Sequence, residues 1–85
     1  MKTWSIIDDK LTKEYVFNDF DEAVSFVNMI ADIAEEHNHH PDIFLHSYNQ
    51  LKIMLQTHAA KAVTQKDYDL AQAIDNLGKK DKEKK

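Results

Sequence analysis

Polar and apolar residues alternate along two pairs of short segments, which is the pattern of β-strands with one buried face. In the first pair, residues 3–7 and 11–17 flank a polar Asp-Asp-Lys tripeptide. In the second pair, residues 42–48 and 51–57 flank Asn49-Gln50, a dipeptide that fits a tight turn. The apolar residues that share one face of these segments are Leu11, Tyr15, Phe17, Leu51, Ile53 and Leu55. The sequence therefore predicts two β-hairpins.

A first amphipathic helix is predicted between the two hairpins. Asp19 and Glu22 have the spacing of an acidic capping box, and Pro41 stops the helix near Asn38. Between these points apolar residues recur at three- and four-residue steps, which indicates one buried stripe. The predicted stripe consists of Phe20, Ala23, Val24, Val27, Ile30, Ala31 and Ala34.

A second helix is predicted after the second hairpin. Thr64 precedes it, Asp67 occupies the third position of a capping box, and Gly78 provides its end. Its predicted buried stripe consists of Leu70, Ala71, Ile74 and Leu77. The resulting order β-β-α-β-β-α predicts an α+β fold, in which a four-stranded antiparallel sheet carries both helices on one face. Residues 1–78 are predicted to form this single domain, and residues 79–85 a frayed, lysine-rich tail.

The composition favours a small protein without disulfides or a membrane anchor. The 85 residues carry a formal net charge of −4, and they include no cysteine and no arginine. No segment has the pattern of a signal peptide or a membrane span, so we expect a cytoplasmic protein. An acidic chain without arginine is a poor direct reader of nucleic acid, because arginine makes the best bidentate contacts to guanine and phosphate.

Histidines are concentrated in one part of the chain and point to a site. Four of the five lie between His37 and His46, and the fifth is His58. A polar helix end explains His37, and a solvent-facing strand position explains His46. A metal site would draw on His37, His39, His40 and His58, but adjacent histidines normally diverge and neither an HExxH motif nor a cysteine accompanies them. General acid–base catalysis by His39, His40 and His58 is the third hypothesis.

Two carboxylates are candidates for orienting these imidazoles. Glu35 lies one helical turn before His39, so its carboxylate can hold an imidazole in one tautomer. Asp67 can do the same for another imidazole or can cap the second helix. We expect the cap to be its main role.

The spacing of these residues resembles that of a known family. Glu35 is followed after three residues by His39-His40-Pro41, then by Tyr48, by His58 after nine further residues, and by Asp67 after eight more. This arrangement closely resembles the motif of the pterin-4a-carbinolamine dehydratases. Other parts that look like the family are Trp4 and residues 15–31 and 57–71. The resemblance covers nearly the whole chain.

The resemblance implies a reaction and a set of site residues. Members of this family remove the hydroxyl at carbon 4a of a hydroxylated tetrahydropterin as water, which gives a quinonoid dihydropterin in tetrahydrobiopterin recycling. Histidines exchange the protons, and no metal or other cofactor takes part. The implied catalytic residues are His39, His40 and His58. The implied substrate-binding residues are Glu35, Asn38, Pro41, Gln56, Thr57 and Ala59, with Asp67 in a supporting role.

The chain departs from the family in two places. Six residues separate Pro41 from Tyr48, where animal members typically have five, so we expect a bulge in the third strand. Three residues precede Trp4, so the extra N-terminal helix common in the family is expected to be missing. Family members commonly form dimers by joining sheets and tetramers by packing helices, so a homodimer or homotetramer is expected.

Two other functions are compatible with the same resemblance. Some animal members bind a homeodomain transcription factor and stabilise its dimer, so one alternative is a non-catalytic module with an unknown protein partner. The other alternative is a dehydratase-like domain acting on another pterin-type heterocycle, such as a molybdenum-cofactor precursor. The complete histidine set favours catalysis on a pterin substrate.

Overall fold

Four strands and two helices follow one another in the order that the sequence predicts. The computed structural model describes residues 4–84, with side chains described as far as Leu77. The elements are β1 (Ser5–Ile7), β2 (Lys10–Val16), α1 (Phe20–His37), β3 (Asp42–His46), β4 (Gln50–Leu55) and α2 (Gln65–Lys84). Thr3, where the first strand is predicted to begin, lies outside the described residues. Neither helix within residues 4–84 is long and apolar enough to cross a membrane.

All four strands form one antiparallel sheet, which confirms the predicted α+β fold. Their spatial order is β1-β2-β4-β3, so the two longest strands, β2 and β4, lie in the centre. β3 pairs with β4 residue for residue, from Asp42 opposite Met54 to His46 opposite Gln50. The prediction of a bulge in the third strand is therefore wrong. Because β3 pairs with β4 without interruption, any additional residue lies in the turn that follows β3.

The first hairpin has a two-residue turn. Ile7 pairs with Lys10, which leaves Asp8 and Asp9 to reverse the chain. These two residues have φ values of 52° and 63°. Both lie in the left-handed region, which aspartate tolerates better than most residues and which matches the twist of the flanking strands.

The second hairpin turns earlier than predicted. β3 ends at His46, the next two residues have φ values of 52° and 56°, and Gln50 already belongs to β4. Asn49 is predicted to form the turn with Gln50, but in the structure it forms hydrogen bonds with Phe17 instead. The main-chain oxygen of Asn49 accepts from the Phe17 N–H at 2.8 Å, and its side-chain amide donates to the Phe17 carbonyl at 3.0 Å. These bonds hold Asn49 beside the end of β2, so the reversal falls before it.

The core lies between the sheet and the two helices. Its buried residues are Trp4, Leu11, Phe26, Ile30, Leu51, Ile53, Leu55, Leu70, Ala71 and Ile74. Leu51, Ile53 and Leu55 alternate along β4, and Leu11 of β2 pairs with Leu55, so these residues come from one face of the sheet. The stripe predicted for α2 is confirmed, with Leu77 partly buried against the same cluster.

The buried stripe of α1 differs from the prediction. Its buried residues are Ala23, Phe26, Ile30 and Ala34. Phe26 is absent from the predicted stripe, yet its ring centroid lies 4.9 Å from that of Tyr15 and 5.4 Å from that of Phe17. Contact with these aromatic rings turns this side of α1 towards the sheet. Phe20 and Ala31, both predicted to be buried, are exposed as a result.

Helix α2 extends beyond its predicted end. It spans Gln65–Lys84 and continues through Gly78, so a helix end at Gly78 is wrong. Glycine inside a helix costs about 1 kcal/mol relative to alanine, a cost that a long helix tolerates at one position. The side chains of the predicted lysine-rich tail, residues 79–85, lie outside the described residues, so the fraying of that tail stays a prediction.

A polar network fastens α2 to the sheet. The indole N–H of Trp4 donates to the carboxylate of Asp75, at 3.1 and 3.2 Å from its two oxygens, and Lys13 Nζ lies 2.8 Å from Asp75 Oδ1. Burial lowers the pKa of Lys13, but hydrogen bonds with Asp75 and Tyr15 outweigh this effect and leave that pKa above its ordinary value.

Candidate active site

A cleft opens where the end of α1 meets the end of β4. It has a volume of about 370 Å³ and is thus within the usual size range of a small-molecule site. It is lined by Asn38, His39, His40, Gln56, Thr57, His58 and Ala59. The structure thus brings together the three predicted catalytic histidines and four of the six predicted substrate-binding residues. The other two, Glu35 and Pro41, are not among the lining residues.

The end of α1 positions two of the histidines. Asn38 has a left-handed backbone with φ of 51°. Its N–H donates to the carbonyl of Glu35 at 3.2 Å, and the N–H of His39 donates to that of Ala34 at 3.1 Å. This pair of bonds is a Schellman motif, in which asparagine is the common alternative to glycine. The chain therefore leaves the helix sharply, and His39 and His40 follow directly at the cleft.

A tight loop after β4 presents the third histidine. Thr57 and Ala62 form an isolated antiparallel bridge, in which the Thr57 N–H donates to the Ala62 carbonyl at 3.0 Å. Lys61 has a left-handed backbone with φ of 54° and donates to the Thr57 carbonyl at 2.8 Å. These bonds close the loop, and His58 lies on it, exposed to solvent and lining the cleft.

Asp67 connects the first turn of α2 to this cleft. Its side chain is fully buried. Oδ1 lies 2.6 Å from His39 Nε2, while Oδ2 accepts from the Thr57 hydroxyl at 2.9 Å and from the Thr64 main-chain N–H at 2.8 Å. The capping role predicted for Asp67 is confirmed by the Thr64 contact. Asp67 also has the alternative role, because the same carboxylate holds the imidazole of His39.

The contacts of Asp67 determine whether Asp67 or His39 carries the proton that lies between them. Burial raises the pKa of Asp67, but hydrogen bonds from His39, the Thr64 N–H and Thr57 outweigh burial and hold that pKa below its ordinary value. An ionised carboxylate only accepts hydrogen bonds, so the proton between Oδ1 and Nε2 belongs to His39. Nδ1 of neutral His39 is then unprotonated and can accept a proton from a ligand.

His40 has a more open environment. Its Nε2 lies 2.6 Å from Glu35 Oε2, and the two side chains are 59% and 77% exposed. The adjacent histidines therefore diverge as expected, with His39 directed to Asp67 and His40 to Glu35. A contact this exposed contributes little to stability. Its effect is to orient the His40 ring, so Glu35 holds an imidazole as the sequence indicated.

The other two histidines lie outside the cleft. His37 is the exposed last residue of α1. His46 Nδ1 lies 3.1 Å from the Ser47 hydroxyl, and its ring stacks on Phe44 with centroids 4.7 Å apart. Among the residues that the structure describes, no group of three or more histidine, cysteine, aspartate or glutamate side chains could hold a metal ion.

Two contacts at the cleft were missed by sequence reasoning. The Thr64 hydroxyl lies 2.6 Å from the Thr57 hydroxyl, and it is the donor because the Thr57 hydrogen is directed to Asp67. The Gln56 side chain donates to the main-chain carbonyl of Asp9 at 3.1 Å. The capping position of Thr64 was a signal for the first contact. The sequence held no signal for the contact between Gln56 and Asp9, because a main-chain acceptor can belong to any residue type.

The structure is an α+β domain in which a four-stranded sheet packs under two helices. Three histidines line one cleft, and a buried carboxylate contacts one of them. The chain belongs to the pterin 4 alpha carbinolamine dehydratase family, whose family model matches residues 1–77. Membership explains why the residues at the cleft have the spacing of the family motif.

Similar proteins occur in distant organisms. A protein of Picosynechococcus sp. is 46% identical over 74 residues, which cover 87% of this chain and 79% of that protein. A protein of Sulfurisphaera tokodaii is 43% identical over 77 residues, which cover 91% of this chain and 82% of that protein. Both carry the provisional name pterin-4-alpha-carbinolamine dehydratase.

Solved structures share the fold. A Brucella melitensis protein described as a transcriptional coactivator/pterin dehydratase superposes with a TM-score of 0.83 at 30% identity, covering 91% of this chain and 83% of that one. A pterin dehydratase-like protein described as a RuBisCO assembly factor of the alpha-carboxysome gives a TM-score of 0.68 at 20% identity, covering 87% and 84%. At that lower identity, the second likeness concerns the fold alone.

Proposed function

We propose that the protein removes water from a 4a-hydroxytetrahydropterin and so forms a quinonoid dihydropterin for tetrahydrobiopterin recycling. The observation that carries this proposal is the His39–Asp67 pair, joined at 2.6 Å at a cleft that His40 and His58 also line. Family membership supports the substrate class. The cleft volume, about 370 Å³, suits a bicyclic heterocycle.

The reaction requires two proton transfers. The hydroxyl on carbon 4a takes up a proton and leaves as water with the electron pair of the C–O bond. Nitrogen N5 loses its proton as its electron pair forms the C4a=N5 double bond. One water molecule is released and no electrons are gained or lost, so an acid and a base placed on one bound molecule are sufficient.

His39 is the proposed base. Asp67 holds the proton of the neutral ring on Nε2, which leaves the Nδ1 lone pair to accept the N5 proton. The buried carboxylate then faces the positive charge that the ring gains, as in other carboxylate-oriented histidine bases. Because Asp67 is already bonded to Thr57 and Thr64, it does not have to move during the reaction.

His40 is the proposed acid. Its Nε2 is bonded to Glu35, so its Nδ1 is the ring nitrogen left to donate to the departing hydroxyl when the ring is protonated. His58, on the exposed loop, contributes a second hydrogen bond to the same hydroxyl and exchanges protons with solvent. This division of work rests on the buried contact of His39 and the exposed position of the other two rings.

Stopped-flow absorbance on freshly made 4a-hydroxytetrahydropterin tests the proposal. We expect dehydration to accelerate in proportion to protein concentration above the uncatalysed rate, and to keep that acceleration in EDTA. No acceleration at any protein concentration would overturn the proposed function. Loss of activity in EDTA that zinc restores would overturn the metal-free mechanism.

A further inference from the structure

Thr64 uses its hydroxyl differently from most threonines that precede a helix. In a capping box, this hydroxyl accepts from the main-chain N–H three residues later. Here the Asp67 N–H donates to the Thr64 carbonyl at 3.0 Å. The Thr64 hydroxyl lies 2.6 Å from that of Thr57, which lines the cleft. The side chain of Thr64 is therefore directed to the cleft rather than to its own helix.

The Thr57 hydroxyl stands between Thr64 and the buried carboxylate. Asp67 Oδ2 lies 2.9 Å from the Thr57 oxygen, and an ionised carboxylate can only accept, so the Thr57 hydrogen is directed to Asp67. The Thr57 oxygen then accepts the hydrogen of Thr64. Each hydroxyl donates to the next group in this chain, which ends at the carboxylate that contacts His39 at 2.6 Å. Hydrogen bonds in such a chain strengthen one another.

The main chain alone does not fix where the Thr57 hydroxyl points. The Thr57 N–H donates to the Ala62 carbonyl at 3.0 Å, and the Thr57 carbonyl accepts from the Lys61 N–H at 2.8 Å. These bonds hold the backbone, but a hydroxyl hydrogen still rotates about its C–O bond. Because Thr57 lines the cleft, a rotating hydroxyl can donate to solvent or to a ligand instead of Asp67. The hydrogen bond from Thr64 occupies the oxygen and limits this rotation.

The direction of this hydroxyl affects a buried charge. The Asp67 side chain is fully buried. Burial raises the pKa of its carboxyl, and hydrogen bonds outweigh this effect, one of them from the Thr57 hydroxyl. Without that bond, Oδ2 relies on the Thr64 main-chain N–H, 2.8 Å away. The carboxylate is then less firmly held where it contacts His39.

We propose that Thr64 is a positioning residue of the candidate site, although it is not among the residues that line the cleft. Its hydroxyl directs the Thr57 hydrogen to Asp67 and so holds the carboxylate that orients His39. This inference rests on the proposed function for the part that His39 plays in turnover.

Thr64→Val and Thr64→Ser test the role of the hydroxyl. Valine keeps the branched shape and the main-chain groups but cannot donate, whereas serine keeps the hydroxyl. In stopped-flow dehydration, we expect Thr64→Val to lower the catalysed kcat by roughly 3- to 10-fold, the effect of one lost hydrogen bond. KM should change by less than about twofold, because Thr64 does not line the cleft. Thr64→Ser should keep kcat within about twofold of wild type.

A double substitution tests whether Thr64 acts through Thr57. Thr57→Val should lower kcat at least as far as Thr64→Val, because it removes the donor to Asp67 itself. Adding Thr64→Val to Thr57→Val should then change kcat by less than about twofold, since both hydroxyls belong to one chain. Two losses that multiply independently would overturn the inference.

Proton NMR reports on the pair without turnover. The resonance of the hydrogen between His39 Nε2 and Asp67 Oδ1 should shift in Thr64→Val and stay at its wild-type position in Thr64→Ser. Thr12→Val is the matched control, because Thr12 is also buried but donates to the Lys10 carbonyl at 3.1 Å, away from the cleft. It should lower stability and leave both the resonance and kcat unchanged. If Thr64→Val behaves in the same way, Thr64 has only a structural role and the inference is overturned.

The two measurements separate this inference from the proposed function. Dehydration by wild-type protein with an undiminished kcat in Thr64→Val keeps the proposed function and contradicts the role of Thr64. If wild-type protein fails to dehydrate the pterin, but the resonance shifts in Thr64→Val and not in Thr64→Ser, the role of Thr64 is supported and the dehydratase function is contradicted.

Discussion

His39 Nε2 and Asp67 Oδ1 lie 2.6 Å apart although the two residues are 28 positions apart in the sequence. The contact joins the end of α1 to the first turn of α2. The second carboxylate oxygen is occupied by Thr57 and Thr64. One buried side chain therefore fixes the tautomer of His39 and stabilises the start of a helix at the same time.

Replacing Asp67 with asparagine should affect both of these roles. The amide nitrogen of the new side chain would donate where the carboxylate accepts, so either the His39 contact is lost or the ring moves its proton to Nδ1. We expect the catalysed rate to fall by roughly tenfold or more and the free energy of unfolding to fall by about 0.5–2 kcal/mol. Nitrogen-15 NMR of the His39 ring, measured with initial rates on the same samples, checks the tautomer directly.

Asp75→Asn is the matched control for that variant. Asp75 lies on the same helix and accepts from Trp4 and Lys13, but it does not line the cleft. Its replacement should lower stability and leave the rate per folded molecule near that of wild type. If Asp67→Asn behaves like Asp75→Asn, with stability reduced and rate retained, Asp67 acts only as a cap.

The stability that Asp67 contributes should decrease as the pH falls into the acid range. Its pKa in the folded protein lies below the unfolded value of 3.8. The contribution is therefore fully present above that value and is lost as pH falls through the lower folded pKa. We expect the gap in free energy of unfolding between wild type and Asp67→Asn to shrink below about pH 4. Urea unfolding of both proteins across the acid range measures it, and a gap that widens on acidification would contradict the assignment.

Most of the fold could be predicted because it depends on short-range patterns. Alternation of period two marked the strands, and the Asp19 and Thr64 caps marked both helix starts. The predictions were wrong where tertiary contacts determine the position of a turn or the buried face of a helix. Asn49 is held by Phe17 and shifts a turn, and Phe26 joins an aromatic cluster that rotates α1. No local pattern reveals either contact.

The candidate site likewise combines residues that the sequence predicts with contacts that it does not reveal. The spacing of His39, His40 and His58 identified the residues that line the cleft. The partners of these residues depend on how α2 docks on α1, which brings Asp67 to His39. The Gln56 contact depends on the position of a main-chain carbonyl at Asp9, which has no sequence pattern at all.

The histidines inside and outside the cleft should differ in their effect on turnover. We expect His40→Ala and His58→Ala to lower the catalysed rate by roughly 10²-fold, the usual scale for a lost acid or base. His37→Ala and His46→Ala serve as controls and should change it little, because both rings lie outside the cleft. Rates must be corrected for uncatalysed dehydration. A comparable loss in His37→Ala would show that the site extends further along α1.

The sheet should also support self-association. β3 is an edge strand, and its side chains Ile43 and Phe44 are exposed, which invites pairing with a second copy. We expect light scattering at micromolar concentration to give at least a dimer of the 9.9 kDa chain. Ile43→Lys, which places a charge on that edge, should shift the protein towards monomer. A wild-type monomer would contradict the expectation.

Single-turnover stopped-flow absorbance on 4a-hydroxytetrahydropterin, with folded wild-type and His39→Ala proteins, tests most directly whether His39 is the base held by Asp67. We predict that His39→Ala lowers the catalysed rate by roughly 10²-fold and that added imidazole restores part of it, because a free imidazole can accept the N5 proton in the vacated space. Imidazole should not accelerate His37→Ala beyond its effect on the uncatalysed reaction. A folded His39→Ala protein that dehydrates the pterin at the wild-type rate would contradict the assignment.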